Sequence, residues 1–409
     1  MKNFVFDKNF APFTEHEAET EEKKKSLAEK KKEEDIRDEK GDYKVKPYKL
    51  SFSPDIIYGN AQYDALFGAS GSALFSFSDL MGNHQIALFT NLQIDLQNSD
   101  YGISYFYLPK RIDYGISAFH QARFLGIRTD DSTRDYYRYR IYGAIGTAAY
   151  PIDRFNRIEL SLGFLNLSKE NLDRDFGNGT ASFLNPSLSL IYDNTRHWLY
   201  SPISGTRYGL SFSGALGSKI EFGSILADYR TYFDFWKYYS FAMRFSGAYS
   251  FGKTPQKFFL GGTQNWINRR FENNSIPIDD IQDFVFTTPA LPLRGYNYNR
   301  LNGTRFGLAN LEFRFPFLQY LAFGALPIPF YYLEGVIFSD IGGAWTGNNF
   351  RGTTKTEFGN HRFRDILWGY GWGVRTVLLY FVVRYDMAWG NDLRGSTKPI
   401  HYISLGGDF

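Results

Sequence analysis

The feature that most constrains this chain is an alternation of apolar and polar residues with a period of two, from about Ser51 to the end. It recurs in segments of roughly ten residues that are separated by turn residues, without a convincing amphipathic helix between them. In one segment, the apolar residues Ile158, Leu160, Leu162 and Phe164 alternate with Glu159, Ser161 and Gly163. In another, one face has Tyr139, Ile141 and Ile145, and the other has Arg138, Arg140 and Ala144. Because successive side chains of a strand point to opposite faces, the pattern predicts strands with one apolar and one polar face.

Two further features favour a membrane barrel over a water-soluble β-sandwich, which shows the same alternation. The pattern extends over most of the 409 residues, and its apolar faces are rich in large aromatic and aliphatic side chains. Aromatic residues make up 19% of the chain, as expected for a barrel with aromatic girdles at both membrane interfaces. No apolar run reaches the roughly 18 residues that a transmembrane helix requires. The predicted fold is all-β: a transmembrane, up-and-down, antiparallel β-barrel with its apolar faces toward lipid.

The connections between the predicted strands alternate in length. Counting the strands as sequential neighbours gives about sixteen, an even number as in bacterial barrels. Short links are predicted near residues 80–83, 109–111, 151–155 and 236–238. Long links are predicted near residues 169–180, 251–302, 346–364 and 390–399. Because barrels have short periplasmic turns and longer extracellular loops, the longest link is expected outside the cell, between the eleventh and twelfth strands.

The chain is predicted to divide into residues 1–50, a charged linker or disordered N-terminal segment, and residues 51–409, the barrel. Residues 15–46 are almost wholly charged and carry no apolar stripe that could be buried. Acidic and basic residues are mixed there, so no nucleic-acid partner is predicted. Residues 1–13 lack the apolar core of a signal peptide. Since an outer-membrane protein must be exported, the sequence is expected to be a fragment or a processed form.

A set of motifs in the second half of the chain follows the order found in one family of barrels. The most specific is Leu293-Arg294-Gly295-Tyr296, within PALPLRGYNYNRLNG in the longest predicted loop. GLANLEFRFPF and FSDIGGAW follow it, and YDNTRHWLYSPISGTRYGLS, similar to that family's periplasmic turn, precedes it. The chain ends in HYISLGGDF. In this order the motifs resemble the bacterial surface-antigen superfamily, the BamA-like barrels of outer-membrane assembly and translocation.

The resemblance implies that the loop folds into the barrel lumen, where Glu312 and Asp340 on the two following strands hold Arg294. By strand parity, six charged residues share the lumen-facing side: Glu312, Arg314, Asp340, Arg375, Arg384 and Asp386. A charge that faces lipid near the midplane would cost about 2–4 kcal/mol. A guanidinium suits the proposed contact because it binds carboxylates through two parallel hydrogen bonds. Such an ion pair either only locks the loop or also takes part in the mechanism, and the sequence leaves both open.

The sequence departs from the family in two regions. Residues 263–290 separate the Gly-Gly at 261–262 from the Arg-Gly-Tyr more widely than is usual, which makes the loop larger. No POTRA domain, the periplasmic domain that passes client proteins to such barrels, is visible before Ser51. Residues 48–89 instead resemble the junction at which a TolB-like β-propeller precedes such a barrel. The resemblance there is to the C-terminal barrel of a TolB-like propeller fusion.

Signatures of an enzyme are missing from the sequence. The six histidines show no HExxH spacing, and neither a GxSxG motif nor a phosphate-binding Walker loop occurs. Cysteine is absent, which excludes disulfides and thiolate metal sites. No catalytic residue, metal site or cofactor is predicted. An outer-membrane phospholipase remains the enzyme alternative, because a serine and a histidine on neighbouring wall positions would leave no sequence motif.

The function implied by the resemblance is insertion or translocation of polypeptides, or of lipid, at the outer membrane. It implies a strained seam between the first and last strands, where a client strand adds by β-augmentation. Gly406 and Gly407 would weaken pairing near the end of the last strand. The terminal Phe409 fits the signal by which barrels are recognised for assembly. The expected partners are outer-membrane lipid, client polypeptides and periplasmic accessory proteins.

Two other functions stay open at this point. A plugged barrel that anchors a periplasmic domain or surface loops, without transport activity, is favoured by the missing POTRA domains. A diffusion channel requires an open lumen, which a loop of about fifty residues folding inward would obstruct.

Overall fold

The computed structural model describes residues 43, 48–64, 68–92, 97–128, 134–198, 201–274, 276–278, 280–322, 329–355, 361–378 and 381–406. The chain divides into two units, Met1–Ser51 and Phe52–Phe409. In the first unit only residues 43 and 48–51 are described. The predicted charged linker therefore lies almost wholly outside the described residues, and its character stays a prediction.

Within the described residues, the second unit consists almost entirely of strands. In chain order they are β1 (Phe52–Asp64), β2 (Gly68–Asp79), β3 (His84–Leu92), β4 (Asp100–Tyr107), β5 (Asp113–Arg128), β6 (Arg134–Pro151), β7 (Asn156–Asn171), β8 (Gly179–Asp193), β9 (Arg196–Trp198), β10 (Ser201–Gly217), β11 (Glu221–Trp236), β12 (Tyr239–Gly252), β13 (Phe258–Leu260), β14 (Thr288–Ala290), β15 (Leu301–Gly303), β16 (Arg305–Ala322), β17 (Pro329–Trp345), β18 (Thr353–Lys355), β19 (His361–Phe363), β20 (Leu367–Leu378), β21 (Phe381–Asn391) and β22 (Ile400–Leu405). A 3-10 turn (Glu272–Asn274) and a short α-helix (Asp283–Phe286) complete the described elements. No helix in this part of the chain is both long and apolar enough to span a membrane.

The strands form one large antiparallel sheet. Seventeen of them belong to it, and the short β9 pairs only with β10. The other sixteen pair up and down as successive neighbours, from β1 to β22. The predicted all-β, up-and-down architecture of about sixteen strands is therefore confirmed.

Short turns join the strands along one edge of the sheet, and longer loops join them along the other. Residues 80–83, 108–112, 152–155 and 237–238 form short turns at one edge. The longest connection, residues 253–304, lies at the opposite edge and joins β12 to β16. Counted along the sixteen successive strands, β12 and β16 are the eleventh and twelfth. The prediction that the longest connection joins the eleventh and twelfth strands is confirmed.

Apolar side chains cover the outer face of the sheet. In β7, Leu160, Leu162 and Phe164 are each more than half exposed, whereas Leu165 and Leu167 on the opposite face are buried. Exposed apolar side chains at alternate positions are what a membrane barrel presents to lipid. The period of two thus separates the two faces of β7, and burial shows which of them faces lipid.

The expectation that charged residues face inward is wrong for part of β6. Tyr139 and Ile141 are buried inside the barrel, so Arg138, of the opposite parity, lies on the outer face. One reason is that Phe284 of the longest loop stacks on Tyr139, with ring centroids 4.5 Å apart, which favours an apolar inner face. The other is that Arg138 forms an ion pair with Glu170 on β7 at 2.7 Å. The cost of such an outward charge falls toward the membrane interface.

The loop between β12 and β16 folds into the barrel. In this loop the short strand β13 pairs with both β14 and β15. Phe258, Leu260 and Leu293 of this loop are fully buried and pack with Leu308 and Ala344 of the wall. Apolar contacts of this kind stabilise the loop in the lumen, since the wall there presents apolar side chains inward. The predicted inward fold of the long loop is confirmed.

Candidate functional site

The tip of the inward loop is the turn that carries Arg294 and Gly295. Gly295 has a φ of +96°, in the left-handed region that favours glycine. A Cβ atom at this position would also lie 2.6 Å from the backbone N of Gly390 and the carbonyl O of Trp389, on β21. The glycine of the motif is therefore required both for the turn and for the close approach of the tip to the wall.

Arg294 is completely buried and contacts two carboxylates on neighbouring strands. Its Nε and Nη2 donate to the carboxylate of Asp340 on β17, at 2.7 and 2.9 Å, and its backbone N–H donates there at 3.0 Å. Its Nη1 lies 2.8 Å from Oε1 of Glu312 on β16, an ion pair without hydrogen-bond alignment. The structure thus brings together the three residues that the sequence singles out.

Neighbouring polar groups hold both carboxylates in position. Asn310 Nδ2 donates to Oδ1 of Asp340 and to the carbonyl O of Pro292 in the loop, both at 2.8 Å. Glu312 also accepts two hydrogen bonds from Arg314, at 2.7 and 3.0 Å. These contacts matter because a buried ion pair is favourable only when the remaining polar atoms are satisfied.

The surroundings of Arg294 keep its guanidinium charged inside the barrel. Burial alone would lower its pKa, but the carboxylates of Asp340 and Glu312 outweigh burial and raise that pKa. The guanidinium also lies over the ring of Phe338, with Cζ 3.5 Å from the ring centroid. The other predicted lumenal charges are buried too: Arg375 pairs with Asp386 at 2.7 Å, and Arg384 donates to the carbonyl O of Gln264 at 2.7 Å. A buried charge that lost its partner would therefore destabilise the folded loop.

Two tyrosines hold the tip against the wall. The hydroxyl of Tyr402 on β22 accepts a hydrogen bond from the Gly295 N–H at 2.9 Å and donates to the carbonyl O of Tyr296 at 2.8 Å. Tyr296 is itself buried, and its hydroxyl donates to the carbonyl O of Trp368 at 3.0 Å. The last strand therefore contacts the loop tip directly, and no sequence motif predicted this contact.

Replacing Tyr402 with Phe is expected to loosen the tip. The change leaves the Gly295 N–H and the Tyr296 carbonyl buried and unpaired, at a cost of about 1–3 kcal/mol. Hydrogen exchange of the Gly295 amide, followed by mass spectrometry of the barrel in detergent, measures the effect. The matched control is Tyr385→Phe, because the Tyr385 hydroxyl contacts His401 at 2.7 Å on the exposed face. Equal Gly295 exchange in the two variants would contradict the role assigned to Tyr402.

The wall glycines that receive the tip were not predicted from the sequence. A Cβ atom at Gly369 on β20 would lie 1.7 Å from the carbonyl O of Arg294. One at Gly390 would lie 2.6 Å from the Tyr296 ring, and one at Gly342 would lie 2.9 Å from the Leu293 side chain. The signal that could have found Gly369 is LWGYGWGV, in which glycines at 369, 371 and 373 share the inner face of β20.

Only one of the predicted seam residues lies within the described part of the chain. Gly406 follows β22 with a φ of +89°, and its N–H donates to the carbonyl O of Val382 at 2.8 Å. Gly407 and Phe409 lie outside the described residues, so their roles stay predictions. Residues 48–89 contribute β1, β2 and most of β3, and their likeness to a propeller junction also stays a prediction.

The chemistry available at the loop tip is ion pairing and hydrogen bonding. Arg294 of the tip pairs with Glu312 and Asp340 of the wall, and the Tyr402 hydroxyl binds the tip backbone. Within the described ranges, no group of three His, Asp or Glu side chains could hold a metal ion. The arrangement joins the tip to β16 and β17 through carboxylates and to β20 and β22 through tyrosine hydroxyls.

The fold resembles the folds of two solved proteins. The chain is similar to BamA from Haemophilus ducreyi lacking POTRA domains 1–3, with a TM-score of 0.54 and 14% identity over 88% of this chain and 70% of that chain. It is also similar to CdiB from Escherichia coli, with a TM-score of 0.50 and 10% identity over 89% of this chain. It spans 63% of that CdiB chain, less than two thirds of its length. At these identities the likeness shows the fold.

A family model covers most of the chain, including the whole loop site. The model described as the Omp85 superfamily domain matches residues 83–409. A comparison with curated proteins finds no match. The family match confirms the resemblance to BamA-like surface-antigen barrels and, with the two solved structures, indicates the bacterial outer membrane as the location. The chain belongs to the Omp85 superfamily.

Proposed function

We propose that this barrel inserts strand-forming polypeptides into the bacterial outer membrane through the seam between β1 and β22, without enzymatic activity. Membership of the Omp85 superfamily supports insertion or translocation of polypeptides at this membrane. The partners in this proposal are outer-membrane lipid, unfolded client polypeptides and periplasmic accessory proteins. A non-enzymatic role is supported by Arg294, Glu312 and Asp340, whose charges are engaged in holding the loop.

The observation that carries the proposal is the short last strand. β22 has six residues, whereas β10 has 17 and β11 has 16. Within the described residues β22 pairs with β21, and no strand pairing joins it to β1. Hydrogen bonds between neighbouring strands close a barrel, so the wall opens most easily where these bonds are fewest. An incoming strand would add at this edge by β-augmentation.

The filled lumen favours a lateral route for the client over a route along the barrel axis. One inner cluster packs Leu260 and Leu293 of the loop against the wall, and a second packs Phe284 and Phe286 against Phe183 and its neighbours. The same observation favours a second candidate function, a plugged barrel that anchors a periplasmic domain or surface loops without transport. A diffusion channel is disfavoured, because the loop lies across the lumen.

An insertion assay distinguishes the two candidate functions. The purified barrel is reconstituted in liposomes, and a small outer-membrane barrel protein unfolded in urea is added as the probe. Folding of the probe, measured by its heat-dependent gel mobility, is expected to be several times faster than in liposomes that contain an unrelated porin. Equal folding rates in the two kinds of liposome would contradict insertion and favour the anchoring barrel.

A further inference from the structure

One edge of β22 faces away from β21. In an antiparallel strand, the main-chain groups of alternate residues point to opposite edges. The Gly406 N–H donates a hydrogen bond to the carbonyl O of Val382 on β21. Residues of the other parity, His401, Ile403 and Leu405, therefore point their main-chain groups away from β21. This is the edge at which β1 or a client strand would pair.

This edge is covered by residues 265–268 of the long loop, the cover segment. The Ile267 N–H donates to the carbonyl O of Ile403 at 2.8 Å. The Leu405 N–H donates to the carbonyl O of Asn265 at 3.4 Å. These are the main-chain hydrogen bonds that a neighbouring strand would make with β22.

Two asparagine side chains of the cover segment extend the same contact. Asn265 Nδ2 donates to the carbonyl O of Leu405 at 2.9 Å. Asn268 Nδ2 donates to the carbonyl O of His401 at 3.1 Å, and its Oδ1 accepts from the Ile403 N–H at 3.2 Å. The side-chain amides thus replace main-chain groups where the segment is too short to continue as a strand.

The cover segment has the direction and the side-chain alternation of a wall strand. Trp266 forms an antiparallel bridge with Ser404, and both residues are buried. The next residue, Ile267, faces outward with 59% of its surface exposed, beside Ile403 at 45%. In an up-and-down barrel with an even number of strands, the first strand also runs antiparallel to the last. The cover segment therefore takes the place that a neighbouring strand would occupy.

An uncovered strand edge is costly in a membrane, because lipid offers no hydrogen-bond partners to backbone groups. The cover segment supplies hydrogen-bond partners to residues 401–405. Within the described residues, however, it makes only two main-chain hydrogen bonds with them. By comparison, β20 and β21 pair along eleven residues. A longer strand that pairs along β22 would replace the cover with more hydrogen bonds, so the exchange is favourable once such a strand arrives.

We propose that residues 265–268 form an exchangeable cover of the β22 edge, which an incoming polypeptide strand must displace before it pairs. The partner is an extended strand antiparallel to β22, apolar where Ile267 faces lipid and bulky where Trp266 fills the lumen. The identity of this partner rests on the proposed function. The cover itself is a contact within the chain, so it is tested without a client.

Hydrogen exchange tests the cover directly. In the Asn265→Gly/Asn268→Ala variant, exchange of the Ile403 and Leu405 amides in detergent micelles is expected to become about tenfold faster. The Ile403 N–H loses its acceptor on Asn268, and the Leu405 N–H keeps only the main-chain carbonyl of a segment that the asparagine side chains no longer hold in place. Glycine is chosen at position 265 because Asn265 has a φ of +55°, where alanine would add strain.

The matched control for hydrogen exchange is Asn348→Ala. It removes a hydrogen bond of 3.2 Å that the Asn348 side chain, in another loop, accepts from Arg305 at the start of β16. Exchange of the β22 amides should therefore stay at the wild-type rate. Wild-type exchange in the double variant as well would overturn the proposal, since the edge would then be protected by something other than the cover segment.

A disulfide tests whether the cover must leave. The chain has no cysteine, so Ile267→Cys with Ile403→Cys introduces a single pair that joins the cover segment to β22 on oxidation. The oxidised barrel is expected to lose acceleration of probe folding, and reductant should restore it. The control pair is Ile103→Cys with Ala118→Cys, opposite each other on β4 and β5, and oxidation there should change nothing.

The outcomes of the disulfide test are distinct. Undiminished activity of the oxidised 267–403 pair would overturn the exchange of the cover. A reduced barrel without any insertion activity would contradict the proposed function instead, and the hydrogen exchange of Ile403 and Leu405 would still decide on the cover.

Discussion

Replacing Arg294 with Met is expected to release the loop tip from the wall and to destabilise the folded barrel by about 3–5 kcal/mol, because an uncompensated buried charge is left behind. Both Asp340 and Glu312 are fully buried, so neither carboxylate regains water while the loop stays in place. The released loop should become sensitive to trypsin at Arg269 and Arg270. Urea unfolding measures the free energy, and mass spectrometry of the tryptic fragments locates the cleavage.

The control for this variant is a second arginine in the same loop. Arg300 pairs with Glu272 at 2.6 Å but is 43% exposed, so Arg300→Met should cost no more than about 1 kcal/mol. Arg294→Lys should fall between the two, because lysine keeps the charge and loses the two parallel hydrogen bonds. Wild-type stability and trypsin resistance in Arg294→Met would contradict the anchoring role of the ion pair.

Replacing Gly369 with Ala is expected to displace the loop tip although it removes no charge and no hydrogen bond. The new methyl group would lie 1.7 Å from the carbonyl O of Arg294, which is backbone and cannot rotate away. Overpacking of this kind costs about 1–3 kcal/mol, and the tip should become sensitive to trypsin as it does in Arg294→Met. Tryptic cleavage and urea unfolding are again the measurements.

A glycine in open space provides the control for Gly369→Ala. Gly209 on β10 has no atom within 4 Å of its would-be Cβ, so Gly209→Ala should leave the loop resistant to trypsin. If Gly369→Ala matched Gly209→Ala in both measurements, the tip would not lie against β20 at this point.

Most of the wall could be predicted because one physical rule governs it. Each strand meets lipid on one face and the lumen on the other, so Leu160, Leu162 and Phe164 show the alternation directly in the sequence. The rule does not say which face turns inward. In β6 that choice depends on Phe284, a residue of the distant loop whose packing against Tyr139 leaves no local pattern.

The charged part of the site was predictable for two different reasons. Strand parity and the cost of a charge in lipid place Glu312 and Asp340 on the lumen-facing side. Their pairing with Arg294 was implied by the family resemblance, and the structure has all three residues in contact. The cover segment could not be predicted in this way. Two of its hydrogen bonds with β22 join main-chain groups, which every sequence has. The asparagine contacts beside them form only because of the path of the folded loop, which no local pattern shows.

The edge of β22 is where the central claim of polypeptide insertion is tested most directly. A photo-reactive phenylalanine analogue at position 403 would report what lies beside this edge while the barrel folds the urea-unfolded probe. The same analogue at Ile337, an exposed residue on β17 away from the seam, is the control. We expect crosslinks from position 403 to the probe, and none from position 337. Crosslinks from position 403 only to the barrel's own chain or to lipid, while the probe folds, would contradict insertion through the seam.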